Sequence, residues 1–560
     1  MKRLLILAPL LLGFACSQRD AVNEHSDSQR PNILLIVVDD MGFTDLGSFG
    51  GEIKTPNLDQ LAMAGIRFTN FQSASTCSPA RSMMLTGVDN HLAGLGNMRE
   101  DLAPNQQGQP GYEGYLNDRV VTVATQLKDA GYRTMLSGKW HLGLDKDTAP
   151  SSRGFEQTFT LLRGGASHFA DMRPAYAPTP DVKADYRENG VVLDELPDGF
   201  EYSTQFYVDR LIQFLDEPAN GDAPFFAYLA LTAPHWPLQA PAEAIDRHVG
   251  NYDDGYDRLL SARLERAIQM GVIPRNAHIN PAPPKYLPWN ELSDERKKIE
   301  ARSMEIYAAM IDEVDRHSGR LFDYLRETGQ FDNTVILFLS DNGAEGHDLD
   351  ETWPAEMFPD IRRTIDTSHD FSYQAMGHPG SYVLYGANWA RAASPASNLY
   401  KGFPTEGGTR VAAFAHYRGF VQEAVIDDLF SVKDVTPTLL ALAGVAQHDG
   451  SYQGRAIEKV TGISQVDVLT GSNKGVDTAD RVLAFELFGK RSVREGRWKL
   501  VHMPEPYGTD DWQLFNLDHD LAESIDVASS HPEIVARLLA EWDRYVEENN
   551  VVIPDWVSGY

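Results

Sequence analysis

Residues 32–40 read NILLIVVDD, directly after Pro31. Seven residues pass without a polar side chain beyond Asn32, and then two aspartates follow. A strand with one wet face alternates polar and apolar residues, whereas this run is apolar at every position and rich in β-branched residues. It therefore fits a strand covered on both faces, as in a parallel sheet packed between helices. Two further runs share the pattern: TVILFLSDNG at 334–343 and PFFAYLALTAPHWP at 224–237. Each carries its polar residues at the carboxyl end. Helical stretches lie between them, NLDQLAMAGI (57–66), VVTVATQLKDAGY (120–132) and MEIYAAMIDEVDRHSGRLFDYLRETG (304–329). Alternating strands and helices predict an α/β domain with a large, mostly parallel mixed sheet sandwiched by helices. Ligands of such sheets bind beyond the carboxyl ends of the strands.

The carboxyl ends are where the acids stand. Asp39 and Asp40 close one run, Asp341 and Asn342 another. Adjacent carboxylates repel unless a cation lies between them. Brought together, they offer three carboxylates and an amide oxygen, a set suited to Ca²⁺ or Mg²⁺ rather than zinc. Each pair taken alone also reads as a cap for the following turn.

The remainder divides by texture. The opening MKRLLILAPLLLGFACSQRD has a basic start and an apolar stretch too short to span a membrane, which predicts an export signal over residues 1–15. Cys16 then reads as the lipidated first residue of a bacterial lipoprotein, on a polar tether over 16–30; a simple secretory signal cut near Ala15 is the alternative. The expected location is the periplasm or cell surface, with membrane attachment through that lipid. Residues 31–478 form the expected catalytic domain. Segments 145–200 and 238–300, rich in Pro, Asp and Tyr, read as insertions roofing a pocket. From about 479 short alternating runs, VLAFELFG, SVREGRWKLVHM and WQLFNLDHD, precede the amphipathic IVARLLAEWDRYVEE. They predict a C-terminal antiparallel sheet with a terminal helix over 479–560. A net charge of -30 argues against a nucleic-acid partner, since no basic field exists to release counterions. An anionic substrate would need a locally positive pocket.

The chain has two cysteines, so no disulfide framework supports an exported fold. Cys77 opens CSPARSMMLTG, a helix start with Pro79 in the first turn and Gly87 as the stop. The N-terminus of a helix favours an anion, and Arg81 falls on the same face as Cys77. The residues alone allow an inert buried thiol or a reactive group in an anion site.

The pattern C-x-P-x-R followed by TG resembles the signature of type I sulfatases, in the bacterial arylsulfatase branch of the alkaline phosphatase superfamily. VVDDMG, GKWHLG (138–143), APHWPLQAP (233–241), SDNGAEG (340–346) and YKGFPTEGG (400–408) occur in that family's order, and the similarity spans about residues 31–545. The resemblance implies that Cys77 is oxidised to formylglycine by a maturation enzyme. One hydroxyl of the hydrated aldehyde attacks sulfur, and the other drives release of sulfate, dividing the reaction into two easier steps. It implies Ca²⁺ held by Asp39, Asp40, Asp341, Asn342 and modified Cys77. Arg81 would hold the modified residue, and Lys139 and Lys401 would bind sulfate. His141 would assist the diol, while His235 would bind substrate and protonate the leaving oxygen. The implied substrate is an aryl or carbohydrate sulfate ester. A phosphonate monoester or phosphodiester hydrolase is the nearest alternative, and a dead glycan-binding relative a more distant one. His168 is read as structural, and EGGTR (406–410) as a turn.

Overall fold

The computed structural model describes residues 30–218, 223–472 and 481–556. The export signal, most of the tether with Cys16, and the expected boundary near 478 lie outside the described residues.

A ten-stranded mixed sheet forms the centre of the molecule. Its spatial order is 424–426, 66–68, 413–416, 334–340, 32–38, 225–230, 133–139, 157–161, 186–188 and 191–192. Strand Asn32–Val38 lies in the middle, parallel to Thr334–Ser340 on one side and to Phe225–Ala230 on the other. Arg133–Lys139 and Gln157–Leu161 continue the parallel set. Antiparallel pairing appears where Ala413–His416 joins Thr334–Ser340, and at the hairpin edge 186–192.

The apolar run at 32–38 is divided evenly between two cores. Leu34, Ile36 and Val38 pack on one side, with Met304 and Tyr307 of helix Asp294–Glu327 and Leu211 of helix Ser203–Asp216. Ile33, Leu35 and Val37 pack on the other, with Met84 of helix Cys77–Thr86, Leu127 and Leu439. Both faces are fully covered, which is why the run contains no alternation.

The C-terminal part is an antiparallel sheet of strands Val482–Leu487, Lys490–Glu495, Trp498–His502 and Trp512–Asn516, covered by helix Pro532–Asn549. Val493, Leu500, Leu514, Leu538 and Trp542 make its core.

One reading of the sequence changes here. EGGTR is not a plain turn: Glu406–Thr409 is a helical turn, and Glu406 is wholly buried. Its carboxylate meets Lys499 at 2.8 Å, Arg410 at 2.7 Å and Arg494 at 3.6 Å. Segment 145–200 brings Gly164, Gly165 and Tyr176 against His141 and His235, and segment 238–300 brings Pro283, Pro284 and Lys285 to a cavity that Gly346 and Tyr400 also line.

Candidate active site

The chain enters the site at four strand ends. Val38 accepts a hydrogen bond from the Asp341 amide at 3.1 Å, and the Asp39 amide donates to Ala233 at 3.2 Å, so three carboxyl ends are laced together. Asp40 takes φ 69°, a left-handed turn that sends the chain out of the sheet directly after the acidic pair. Lys139 is the last residue of its strand.

Helix Cys77–Thr86 points its N-terminus at this rim. Thr76 precedes it in extended conformation, and Gly87 ends it at φ 71°, where an L side chain would be strained. Arg81, one turn in, is completely buried. Its Nε donates to Asp341 Oδ2 at 2.9 Å, its Nη2 lies 2.8 Å from the same oxygen as an ion pair, and its Nη1 reaches the Lys139 carbonyl at 3.2 Å.

Around residue 77 the charges alternate. Cys77 Sγ lies 3.2 Å from Asp39 Oδ1 and 3.8 Å from Asp40 Oδ1. Asp39 Oδ2 takes Lys139 Nζ at 2.7 Å, and Asp40 Oδ2 takes Lys401 Nζ at 2.9 Å. Each aspartate thus gives one oxygen to a lysine and turns the other toward residue 77. His235 Nε2 stands 3.6 Å from Asp40 Oδ2, with Nδ1 at 2.6 Å from the Trp236 carbonyl. Asn342 Nδ2 donates to Asp40 Oδ1 at 2.7 Å.

Burial governs the protonation states. It opposes the charge on Asp39, but Lys139, aided by Arg81 and Lys401, holds that carboxyl well below the usual range. Asp40 is pushed up to about 7 by burial; Lys401 opposes this, while Asp39 and Glu345 add to it. Burial, and then the Asp39 charge, raise the Cys77 thiol far above its ordinary value. The encoded thiol is therefore protonated and a poor nucleophile.

A cation fits this donor set. One ligand atom each from Asp39, Asp40, Cys77 and His235 lies within 4.8 Å of all the others. Asn342 Oδ1 is buried without a hydrogen-bond partner. A half-turn of that amide would present the free oxygen where Nδ2 now meets Asp40. Formally, Asp39, Asp40, Asp341 and Glu345 carry four negative charges, against three positive charges on Arg81, Lys139 and Lys401. A divalent cation reverses the balance to net positive, as an anionic substrate requires.

The structure brings Asp39, Asp40, Cys77, Arg81, Lys139, His235, Asp341, Asn342 and Lys401 together. His141 stands at the edge, its Nε2 3.0 Å from Glu100 Oε1. Sequence reasoning missed Glu345, which pairs with Lys401 at 3.1 Å and with His347 Nδ1 at 2.8 Å. Its place inside SDNGAEG was the available signal. It also missed Glu100, for which there was none. His168 is structural, as expected: Nε2 contacts the His235 carbonyl at 3.0 Å and Nδ1 contacts Ser203 Oγ at 2.9 Å.

A family profile described as Sulfatase matches residues 31–445. The chain is 41% identical over 542 residues to an uncharacterized sulfatase of Schizosaccharomyces pombe, covering 95% of this chain and 96% of that protein. It is 38% identical over 429 residues to an arylsulfatase of Klebsiella aerogenes, covering 75% and 88%. In fold it is similar to the crystal structure of Ps i-CgsB in complex with k-i-k-neocarrahexaose, at TM-score 0.65 and 24% identity, covering 94% of this chain and 95% of that one. The acid-and-lysine rim around residue 77 therefore has close sequence relatives along nearly its whole chain, and the protein belongs to the formylglycine-dependent sulfatase family of the alkaline phosphatase superfamily, a family of sulfate-ester hydrolases.

Proposed function

We propose that the protein is an arylsulfatase-like hydrolase of sulfate monoesters that works with formylglycine at position 77 and one Ca²⁺. The convergence of Lys139, Lys401 and Arg81 on the acidic rim around Cys77 carries this reading. In the mature enzyme the place of Cys77 Sγ is taken by oxygen of the hydrated aldehyde. That group would supply the nucleophile for sulfur, and Ca²⁺ would polarise the sulfate oxygens.

Asp39, Asp40, Asp341 and Asn342, with residue 77, would hold the cation. As encoded, the two aspartates, Cys77 and His235 also make a set that zinc accepts. Replacing sulfur by oxygen removes the soft ligand, and Asp341 and Asn342 add the oxygens that a hard cation prefers.

The chain's own residues divide the remaining work. Lys139 and Lys401 bind the sulfate oxygens and offset charge where it develops. Arg81, fixed by a hydrogen bond and an ion pair to Asp341, holds residue 77 and the helix that carries it. His235 commits its Nδ1 hydrogen to the Trp236 carbonyl, so it would donate to the leaving oxygen at Nε2 as the imidazolium, and His141 would accept a proton from residue 77. We place the enzyme outside the cytoplasm, in the periplasm or at the cell surface, with a lipid on Cys16. Conversion of Cys77 by a maturation enzyme precedes burial of the helix start. Among the described residues no helix is long and apolar enough to cross a membrane.

The test compares kcat/KM of matured protein on nitrophenyl sulfate, a carbohydrate sulfate and a nitrophenyl phosphonate monoester. Preference for the sulfates supports the proposal, with the aryl ester ahead of the sugar. A phosphonate preferred over both would assign the site to phosphonate chemistry.

A further inference from the structure

His141 lies two residues beyond Lys139 and holds φ 58°, an uncommon conformation for a residue with a side chain. Its Nε2 meets Glu100 Oε1 at 3.0 Å, and the same oxygen accepts the Tyr176 hydroxyl at 2.6 Å. Gly164 makes room for this contact. A Cβ there would fall 2.7 Å from His141 Cε1, 2.9 Å from its Nε2 and 2.8 Å from the Tyr176 hydroxyl. The other ring nitrogen, Nδ1, is buried and has no hydrogen-bond partner. Glu100, on the Nε2 side, keeps 17% of its side chain exposed, whereas Nδ1 is shut off from solvent.

An ionised carboxylate only accepts hydrogen bonds, so the proton between His141 and Glu100 belongs to Nε2. Glu100 is ionised: burial opposes its charge, but His141 and Tyr176 bring its carboxyl down to about 2. The ring itself is kept neutral by burial, with Lys139 and Arg81 adding to the effect against Glu100. Asp101, the buried neighbour of Glu100, is pushed well above the usual carboxylate range by burial and by the Glu100 charge. It adds no competing negative charge.

We infer that Glu100 is a positioning residue that fixes His141 as the Nε2–H tautomer and keeps the buried Nδ1 as the proton acceptor, with Tyr176 and Gly164 shaping the contact. The role of that acceptor in turnover rests on the function proposed above; the tautomer does not. The arrangement has the logic of an acid that orients a histidine base without itself taking the proton.

The test uses ¹⁵N-histidine-labelled full-length protein carrying Cys77→Ala, with the His141 signals assigned by comparison with His141→Asn. Long-range ¹H–¹⁵N correlation should show Nε2 protonated and Nδ1 bare. Glu100→Ala should release the ring to a mixture of tautomers, and Glu100→Gln, which can still accept through its amide oxygen, should retain the Nε2–H form. In matured enzyme Glu100→Ala should lower kcat by roughly 10²-fold, the low end of what a positioned acid or base contributes. KM on nitrophenyl sulfate should change by no more than about twofold, and Glu100→Gln should recover part of the loss. A protonated Nδ1 in the Cys77→Ala protein would overturn the inference, as would an unchanged tautomer in Glu100→Ala. Failure of the parent to cleave sulfate esters would count against the proposed function alone, because the tautomer is read without turnover.

Discussion

His91 joins the C-terminal sheet to the catalytic domain, and its protonation sets a pH limit on that joint. The ring is wholly buried. Nδ1 stands 3.0 Å from Asp89 Oδ1, and Nε2 stands 3.2 Å from Glu486 Oε2 on the first strand of the C-terminal sheet. Tyr545 of the terminal helix donates to Asp89 at 3.2 Å. With a carboxylate at each nitrogen, both must carry hydrogen, so the ring is an imidazolium. Burial lowers its pKa, but bonds to Asp89 and Glu486 outweigh this and raise it from 6.5 to about 9. Asp89 is correspondingly lowered to about 2; the two shifts describe one interaction and are counted once. About 2.5 units at 1.36 kcal/mol each come to about 3 kcal/mol. Because the folded pKa is the higher one, this stability is fully present below pH 6.5 and is lost as pH rises through 9. His91→Gln should therefore be destabilised by about 3 kcal/mol at pH 6, with the gap to the parent closing toward pH 9.5. Urea unfolding followed by tryptophan fluorescence reads this stability, since the nine tryptophans are spread over both the catalytic domain and the C-terminal sheet. A gap that stays constant from pH 6 to 9.5 would refute the reasoning.

Asp341→Ala should abolish activity, reduce bound Ca²⁺ from one per chain to none, and cost about 3–5 kcal/mol, because the buried Arg81 loses its shortest ion pair; metal analysis finding zinc in the parent would overturn the ligand assignment. Lys490 donates to the Gly402 carbonyl at 3.2 Å and sits 3.9 Å over the Phe403 ring, beside Lys401. Lys490→Met should thus lower kcat/KM by roughly tenfold, about one hydrogen bond's worth, and unchanged kinetics would show that the C-terminal sheet does not support that loop. His235→Ala should steepen the dependence of kcat/KM on leaving-group basicity across a series of aryl sulfates, with losses of roughly 10²–10⁴-fold on the most basic. Lys139→Ala should depress the whole series evenly; parallel slopes for both variants would remove His235 from the acid role.

Much of this architecture was legible in the sequence because burial on both faces leaves a simple trace. The strand at 32–38 needs apolar residues on each side of the sheet, and the acids after it mark the rim. The helix start at Cys77 was legible from Pro79 and Gly87, since backbone constraints act locally. Pairings across the fold left no such trace. Glu100 reaches His141 only because the helical turn Arg99–Asp101 and Gly164 bring them together, and neither looks unusual alone. Glu406 sits in a glycine-rich stretch whose local chemistry suggests a turn. Its burial depends on Lys499 and Arg494, about ninety residues away on strands of the C-terminal sheet. Glu345 shows the intermediate case, within a motif that was recognised but holding Lys401 from a position that spacing does not reveal.

The central claim is that Cys77 is a precursor rather than the catalytic group. Tryptic digestion after Arg67 and Arg81 releases the peptide Phe68–Arg81, which contains residue 77. In active preparations its mass should be lower than encoded by about 18 Da, a covalent change carried on that one residue. The specific activity of separate preparations should rise in proportion to the fraction of lighter peptide. Full activity in a preparation whose peptide carries only unmodified cysteine would contradict the account.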